Sequence, residues 1–302
     1  MKTKKKTDWR GNISAGIMLS PAVLMLIICS IYPFIWIFRY INYNYNGFTA
    51  VYTGSQNFKR MLSDKQFWQS VITTFEYAAL KLVFIIPLSL LLAILVNMRL
   101  YFSTVFRSIY FMPTVIASSI SSMIFGFIFA TQNGILNSIL QALNIIDTPI
   151  KWLASTDYVM SAILIVALWG GLGNYMLYFL TGINGIDTEV YEASKIDGAN
   201  AVQNFFYVTL PMLSPVLKVV LLLAITTAFK DYEAIMVLTK GGPGNRSMVM
   251  FLYIYNMIFG AGSTSQPQIG YGALLSVIAA VIVGAITGIY LLAARKLDKV
   301  FE

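Results

Sequence analysis

Tyr191-Glu192-Ala193-Ser194-Lys195-Ile196-Asp197-Gly198-Ala199, continuing through Phe205-Phe206-Tyr207-Val208-Thr209 to Leu210-Pro211-Met212-Leu213-Ser214-Pro215, is a short, soluble-looking stretch between two long apolar runs. Asp187 or Thr188 can cap a helix that carries Glu189 and Glu192 early, where the helix dipole favours acids. Gly198 permits the positive φ of a helix stop. A second short helix is expected from Asn200 to about Val208, presenting Phe205 and Phe206. Pro211 then fits the first turn of the next span, where its missing N–H costs nothing. Two capped helices joined by one glycine make a stiff elbow, and a stiff elbow can transmit a push that a disordered loop would absorb. Spacing alone fits a structured connector equally well, whereas an exposed Phe pair points to a handle gripped by a soluble partner.

The residues on either side set the class. The chain has 302 residues, 58% hydrophobic and 11% charged, with a mean hydropathy of +0.71, too apolar for a soluble domain of this length. The expectation is an all-α, polytopic membrane protein. Cys29 lies in the first apolar run and reads as a small packing residue, and the sequence contains no histidine. A disulfide framework, a Cys/His metal site and His-dependent catalysis are therefore excluded. No Gly-x4-Gly-Lys-Ser/Thr phosphate loop occurs, and Gly241-Gly242-Pro243-Gly244 lacks the lysine such a loop requires. If nucleotide drives this protein, another chain binds it, and the chain itself is expected to hold no cofactor and to be no enzyme.

Because about 20 apolar residues cross a hydrocarbon core, six spans are predicted, over 14–38, 69–97, 106–130, 158–183, 212–236 and 270–294. Residues 1–13 form a basic tail. The first run is too long for a signal peptide and no convincing cleavage site follows it, so it reads as an uncleaved anchor. Lys/Arg bias orients the chain. With the amino terminus inside, Lys2, Lys4, Lys5, Lys6, Arg10, Arg99, Arg107, Lys195, Lys218, Arg295, Lys296 and Lys299 fall on the cytoplasmic side; Arg39, Lys59, Arg60, Lys65, Lys151, Lys240 and Arg246 fall outside. Twelve against seven favours both termini in the cytoplasm. Topology and attraction to anionic membrane lipid account for the net charge of +8, so no nucleic-acid partner is expected.

Two outer segments look ordered. Ile135, Leu136, Ile139, Leu140, Leu143 and Ile146, with Asn137, Gln141 and Asn144 between them, predict an amphipathic helix along the outer surface. Met248 to Phe259 is too short to cross and must rest in the interface or against the spans. Both fit a cover over the bundle and, equally, a rim on which a delivery protein docks. Inside the membrane, polar and aromatic residues mark a candidate pathway: Glu76, then Trp169, Asn174, Tyr175 and Tyr178, then Asp231, Tyr232 and Glu233. Tyr and Trp near span ends also belong to the interfacial belt. Gly170, Gly171 and Gly173 fit close helix contact. Five residues advance a helix by about 140°, so Glu76 and Lys81 do not share a face; Lys81 is expected to contact another span or a water-filled space.

Residues 191–199 with 206–215 resemble the EAA signature of ABC importer permeases, Glu-Ala-Ala-x-x-Asp-Gly-Ala followed by Phe-x-x-Ile/Val-x-Leu-Pro. Ser194 departs from the usual second alanine. Phe106-Arg107-Ser108-Ile109-Tyr110-Phe111-Met112-Pro113, Leu238-Thr239-Lys240-Gly241-Gly242-Pro243 and Tyr253-Ile254-Tyr255 are similar to the carbohydrate branch, the maltose, multiple-sugar and glycerol-phosphate importers, and to the first permease of each pair. The resemblance implies a type I importer permease fold in a bacterial inner membrane, with a permease core over 69–302 and a cytoplasmic coupling loop over 184–211. It implies a heterodimer with a second permease, two cytoplasmic ATPases that bind the ATP, an extracytoplasmic binding protein, and a sugar of oligosaccharide size as cargo. Glu192, Ala193, Ser194, Asp197, Gly198, Ala199, Phe205 and Phe206 would form the ATPase contact. An ABC permease for amino acids, peptides or metals is the nearest alternative. An ion-coupled secondary transporter would show repeated halves with broken helices, which the sequence does not reveal.

Overall fold

The computed structural model describes residues 9–98, 103–261 and 266–301; Lys2, Lys4, Lys5, Lys6 and Arg99 of the charge tally lie outside them. In chain order the elements are α1 (Trp9–Leu26), a π-helical turn (Ile27–Ile31), α2 (Tyr32–Tyr40), β1 (Tyr43–Tyr45), β2 (Ala50–Tyr52), α3 (Gln56–Ser63), α4 (Lys65–Asn97), α5 (Ser103–Val115), α6 (Ser118–Ile128), α7 (Ile135–Ala142), α8 (Val159–Asn184), α9 (Thr188–Ile196), α10 (Ala201–Asn204), a second π-helical turn (Phe205–Thr209), α11 (Leu210–Met212), α12 (Ser214–Lys230), α13 (Glu233–Leu238), α14 (Met250–Phe259) and α15 (Ile269–Phe301). They form two compact units, Met1–Ser63 with Asn256–Val277, and Asp64–Tyr255 with Ile278–Glu302.

In the first unit, α1 and α2 with their π turn form a helix apolar enough to span over Gly16–Tyr40, and none of its most apolar stretch is buried. Pro33 explains the π turn. Its ring crowds the carbonyl of Cys29, four residues back, and the wider turn removes that clash. The same arrangement recurs at the second π turn, where Pro211 stands four residues after Tyr207. The antiparallel β1–β2 hairpin pairs Tyr43 with Tyr52 and Tyr45 with Ala50.

In the second unit, α4 packs along α8, and α5 and α12 flank that pair. Ile85, Ala93, Met176, Phe179, Val220 and Ala224 are buried where α4, α8 and α12 meet. Without a hydrophobic driving force inside lipid, such contacts depend on close approach. Gly173 supplies one: a Cβ there would strike the backbone of Tyr110 and Phe111, so α5 can touch α8 only over a hydrogen atom.

The expected straight spans need two corrections. The third is broken into α5 and α6, bent by 98°. Pro113 weakens the end of α5 by removing an N–H, and Ala117 then leaves the helical region at φ −55°, ψ 135°. Apolar run length is identical for a straight and a folded run, so it could not reveal this. The fifth begins at Ser214, after a bend of 69° from the preceding helix. Pro215, in place of Pro211, occupies its first turn. Among the described residues, four unbroken helices are long and apolar enough to cross a membrane, or up to six if each bent pair counts as one. Broken spans, taken above as a mark of secondary transporters, are thus present here.

The expected helix near 133–146 exists as α7, with its faces partly exchanged. Asn137 is only 2% exposed, and Ile135 and Ile139 point outward. The Asn137 amide donates to the Ile150 carbonyl at 2.9 Å, and its oxygen accepts from Trp152 Nε1 at 3.0 Å. Burial of the amide is offset by these bonds. Asn144, at φ 54°, ends the segment before Ile146. Met248, Val249, Met250 and Leu252 are buried at the start of the second segment, where the Met250 N–H donates to Thr74 Oγ1 at 2.8 Å.

Candidate functional site

Two constellations stand out, an elbow and a chamber. In the elbow, Asp187 occupies the position before α9 but its side chain makes no cap bond. Asn200 caps α10 instead: its side chain accepts from the Gln203 N–H while the Gln203 side chain accepts from the Asn200 N–H, each at 2.9 Å. This reciprocal box satisfies two amides that a helix start otherwise leaves unpaired. Gly198 sits at φ +80°, the left-handed conformation that a glycine permits at a helix stop. The Ala199 N–H returns to the Ser194 carbonyl at 3.0 Å, closing α9.

Ser194 joins the two arms. It is 9% exposed; its hydroxyl donates to the Tyr191 carbonyl at 2.9 Å and accepts from Asn204 Nδ2 at 3.0 Å. Tyr191 OH also approaches Thr209 Oγ1 at 3.4 Å. The position that departs from the EAA pattern is therefore a hydrogen-bonded brace. Glu192, Ala193, Asp197 and Gly198 are exposed, and Ala199 is half-buried. The Phe pair divides: Phe206 is exposed, whereas Phe205 is half-buried beneath it with ring centroids 4.9 Å apart. Ile196 and Tyr207, 86% and 79% exposed, enlarge the uncovered apolar surface beyond the predicted pair. Their signal was visible in the sequence, as apolar residues at the stop of one helix and the end of the next.

The chamber, of about 260 Å³, forms at the two helix breaks and is lined by Lys81, Thr114, Ser118, Ser121, Gly170 and Asp231, among others. Asp231 follows the last residue of α12 with extended backbone, where the helix dipole disfavours a carboxylate. Two partners offset that cost: Lys81 Nζ lies 2.7 Å from Asp231 Oδ2, and Tyr77 OH donates to the same oxygen at 2.6 Å. Tyr77 and Lys81 are four residues apart on α4, so one helix face delivers both. Thr114 Oγ1 and Ser121 Oγ are buried and make no hydrogen bond among the described residues. Buried hydroxyls of that kind leave hydrogen-bonding capacity for a water or a polar guest.

Of the candidate pathway residues, Asp231 alone lines this chamber. Glu76 instead pairs with Arg246 at 3.0 Å. Trp169 packs edge-on against Phe125, centroids 5.3 Å apart, and lines an apolar cavity of about 390 Å³ with Leu88, Ile109 and Pro113. Tyr175 is buried with its hydroxyl 2.7 Å from Thr227 Oγ1. Asn174 and Tyr178 are exposed one turn apart on α8. Tyr232 packs against Tyr255 at 5.9 Å, and Glu233 is exposed at the start of α13. Sequence reasoning left out Tyr77, Thr114, Ser118 and Ser121; the available signal was a lysine deep in an apolar run with a tyrosine one turn before it, and a serine cluster in mid-span.

Comparison with known proteins agrees with this architecture. The chain is 31% identical over 296 residues to a probable starch-degradation-products transport system permease of Thermoanaerobacterium thermosulfurigenes, covering 98% of this chain and 99% of the relative. It is 28% identical to a lactose transport system permease of Rhizobium radiobacter, covering 94% and 95%. Its fold matches a chain of a bacterial alginate ABC transporter, solved in complex with an alginate pentasaccharide-bound periplasmic protein, at a TM-score of 0.83 and 20% identity over 97% of each chain. This is the type I ABC importer permease fold. Residues 85–299 match the family model described as binding-protein-dependent transport system inner membrane component, and the chain belongs to that family.

Proposed function

We propose that this chain is one of two permease subunits of an ATP-driven sugar importer, forming half of the pathway and taking its motion from a separate ATPase through the 188–212 elbow. The observation that carries the coupling role is the brace between Ser194 and Asn204, which locks two short helices at an angle while Glu192, Ile196, Phe206 and Tyr207 stay uncovered. Exposed apolar groups on a rigid, capped element fit a groove in a soluble partner. The sugar cargo is supported by the near full-length likeness to permeases named for lactose and for starch degradation products. Basic residues concentrated at the amino-terminal tail support both termini in the cytoplasm.

In this reading an extracytoplasmic binding protein delivers sugar, and two cytoplasmic ATPases bind ATP and draw the elbows together. The bend before α12 passes the displacement to the spans, and hydrolysis reverses it. The breaks at Val115–Ser118 and Lys230–Glu233 lie at the chamber walls, so each half-helix can pivot without unwinding its neighbour. Lys81, Asp231 and the unpaired hydroxyls of Thr114 and Ser121 offer a sugar hydroxyl both donors and acceptors. Asn174 and Tyr178, exposed on α8, would face the second permease or the sugar. No covalent step is assigned to this chain.

The test is co-purification in mild detergent followed by uptake in vesicles rebuilt from the recovered subunits. ATP-dependent, binding-protein-dependent sugar uptake is the expected result. Uptake that persists without ATP and collapses with an ion gradient would replace this reading with secondary transport. A cognate receptor that binds an amino acid or peptide, and no sugar, would change the cargo and leave the coupling intact.

A further inference from the structure

The first unit holds a polar pocket of about 510 Å³ that the import reading leaves unused, with Asn44, Gln56, Arg60, Gln266, Gln268 and Tyr271 in its walls. Its size falls within the range of about 300–1,000 Å³ usual for small-molecule sites. The frame is rigid. Asn57, 8% exposed, ties α3 to the start of the hairpin by donating to the carbonyls of Ile41 and Tyr43 at 2.9 and 3.0 Å. Asn46 closes the hairpin turn by accepting from the Phe48 and Thr49 N–H groups at 3.0 and 2.8 Å.

Arg60 is held in place from two directions. Its guanidinium carbon lies 3.9 Å from the centroid of the Tyr271 ring, and Nη1 donates to Gln268 Oε1 at 2.6 Å. Among the described residues, no carboxylate lines the pocket. The side-chain amides of Asn44, Gln56 and Gln266 make no hydrogen bond among the described residues, and Gln268 keeps its NH2 group uncommitted there. Each amide both donates and accepts, as a sugar hydroxyl does. A carboxylate guest would accept from Arg60 and the amide NH2 groups but leave the amide oxygens unused, whereas a hydroxyl uses both; an apolar guest would leave every one of these groups unpaired. Arg60 already covers the Tyr271 ring, so hydrogen bonding, in place of ring stacking, must hold the guest.

We propose that this pocket is a saccharide-binding subsite, in which Arg60 donates to hydroxyl oxygens and the surrounding amides fix the orientation of a short sugar. The inference rests on the sugar-import reading, and the cytoplasmic amino terminus places the hairpin and α3 on the side where sugar is delivered.

The test uses the whole importer in lipid nanodiscs without its binding protein, with lactose, maltotriose and arabinotriose as probes in saturation-transfer NMR. At least one probe should give a signal that falls about twofold or more in Arg60→Met and in the exposed pair Gln56→Ala/Gln266→Ala, the remainder belonging to the chamber, while persisting in full in Arg246→Ala, whose ion pair lines neither site. No signal from any probe, or a signal lost only in Ser121→Ala of the chamber, overturns the subsite. Cellular uptake of the same three sugars separates the two levels: uptake without a pocket signal rejects the subsite alone, and uptake of amino acids with none of the sugars rejects the sugar reading as well. If Arg60→Met leaves the sugar signals unchanged and raises the half-saturating concentration of the binding protein, the pocket docks protein and the subsite is overturned.

Discussion

Lys81 and Asp231 approach to 2.7 Å although 150 residues separate them in the chain. The side chains are 10% and 21% exposed, so the contact joins α4 to the end of α12 away from bulk water. Removing one partner of such a pair leaves a buried charge and typically costs about 3–5 kcal/mol, whereas replacing both with apolar groups can be nearly neutral. Lys81→Met and Asp231→Leu should therefore each lower the melting temperature of the purified permease more than the double variant does. Additive losses would mean that the pair contributes no coupling. Arg246 and Glu76 supply the control: at 44% and 35% exposure their ion pair is largely solvated, and Arg246→Ala should shift stability by less than about 1 kcal/mol.

Ser194→Ala restores the residue usual in the EAA pattern and removes the bond to Asn204. One hydrogen bond contributes about 1 kcal/mol, too little to unfold the chain but enough to loosen the elbow. Subunit assembly should be unchanged, and the ratio of sugar transported to ATP hydrolysed should fall. An unchanged ratio would reduce the brace to a packing detail.

Gly198→Pro demands φ near −65° where the backbone stands at +80°. Uptake and substrate-stimulated hydrolysis should disappear while membrane insertion persists, as measured by protease protection and vesicle transport. Gly198→Ala, with a left-handed penalty of about 1–2 kcal/mol, should show the same defect in weaker form. Normal uptake by the proline variant would sink the coupling role, and Glu192→Lys offers an independent check by reversing charge at the same exposed surface.

Gly173→Leu places carbon against the backbone of Tyr110 and Phe111. Backbone cannot yield as a side-chain tip can, so α5 must separate from α8 at a cost of roughly 1–3 kcal/mol or more. Poor recovery of folded permease is expected by size-exclusion chromatography. Gly170→Ala is the matched control, because a Cβ at that position meets no atom within 4 Å, and it should be recovered normally.

The amino-acid order by itself determined the membrane class, the elbow and its glycine stop, because those depend on run length, capping residues and one φ angle, all local properties. Gly198 is legible for that reason, as is the refusal to pair Glu76 with Lys81, which follows from helix geometry alone. Only the tertiary structure decided what those two residues do pair with, where the third span folds at Ala117, and that Asn137 turns inward while Ile135 and Ile139 turn out. It also decided that Asp231, of all the pathway candidates, meets Thr114 and Ser121 around one chamber. The physical reason is packing between segments, which brings together partners 13 residues apart, as at Asn137 and Ile150, and 150 apart, as at Lys81 and Asp231, and apolar run length is blind to which of them will meet.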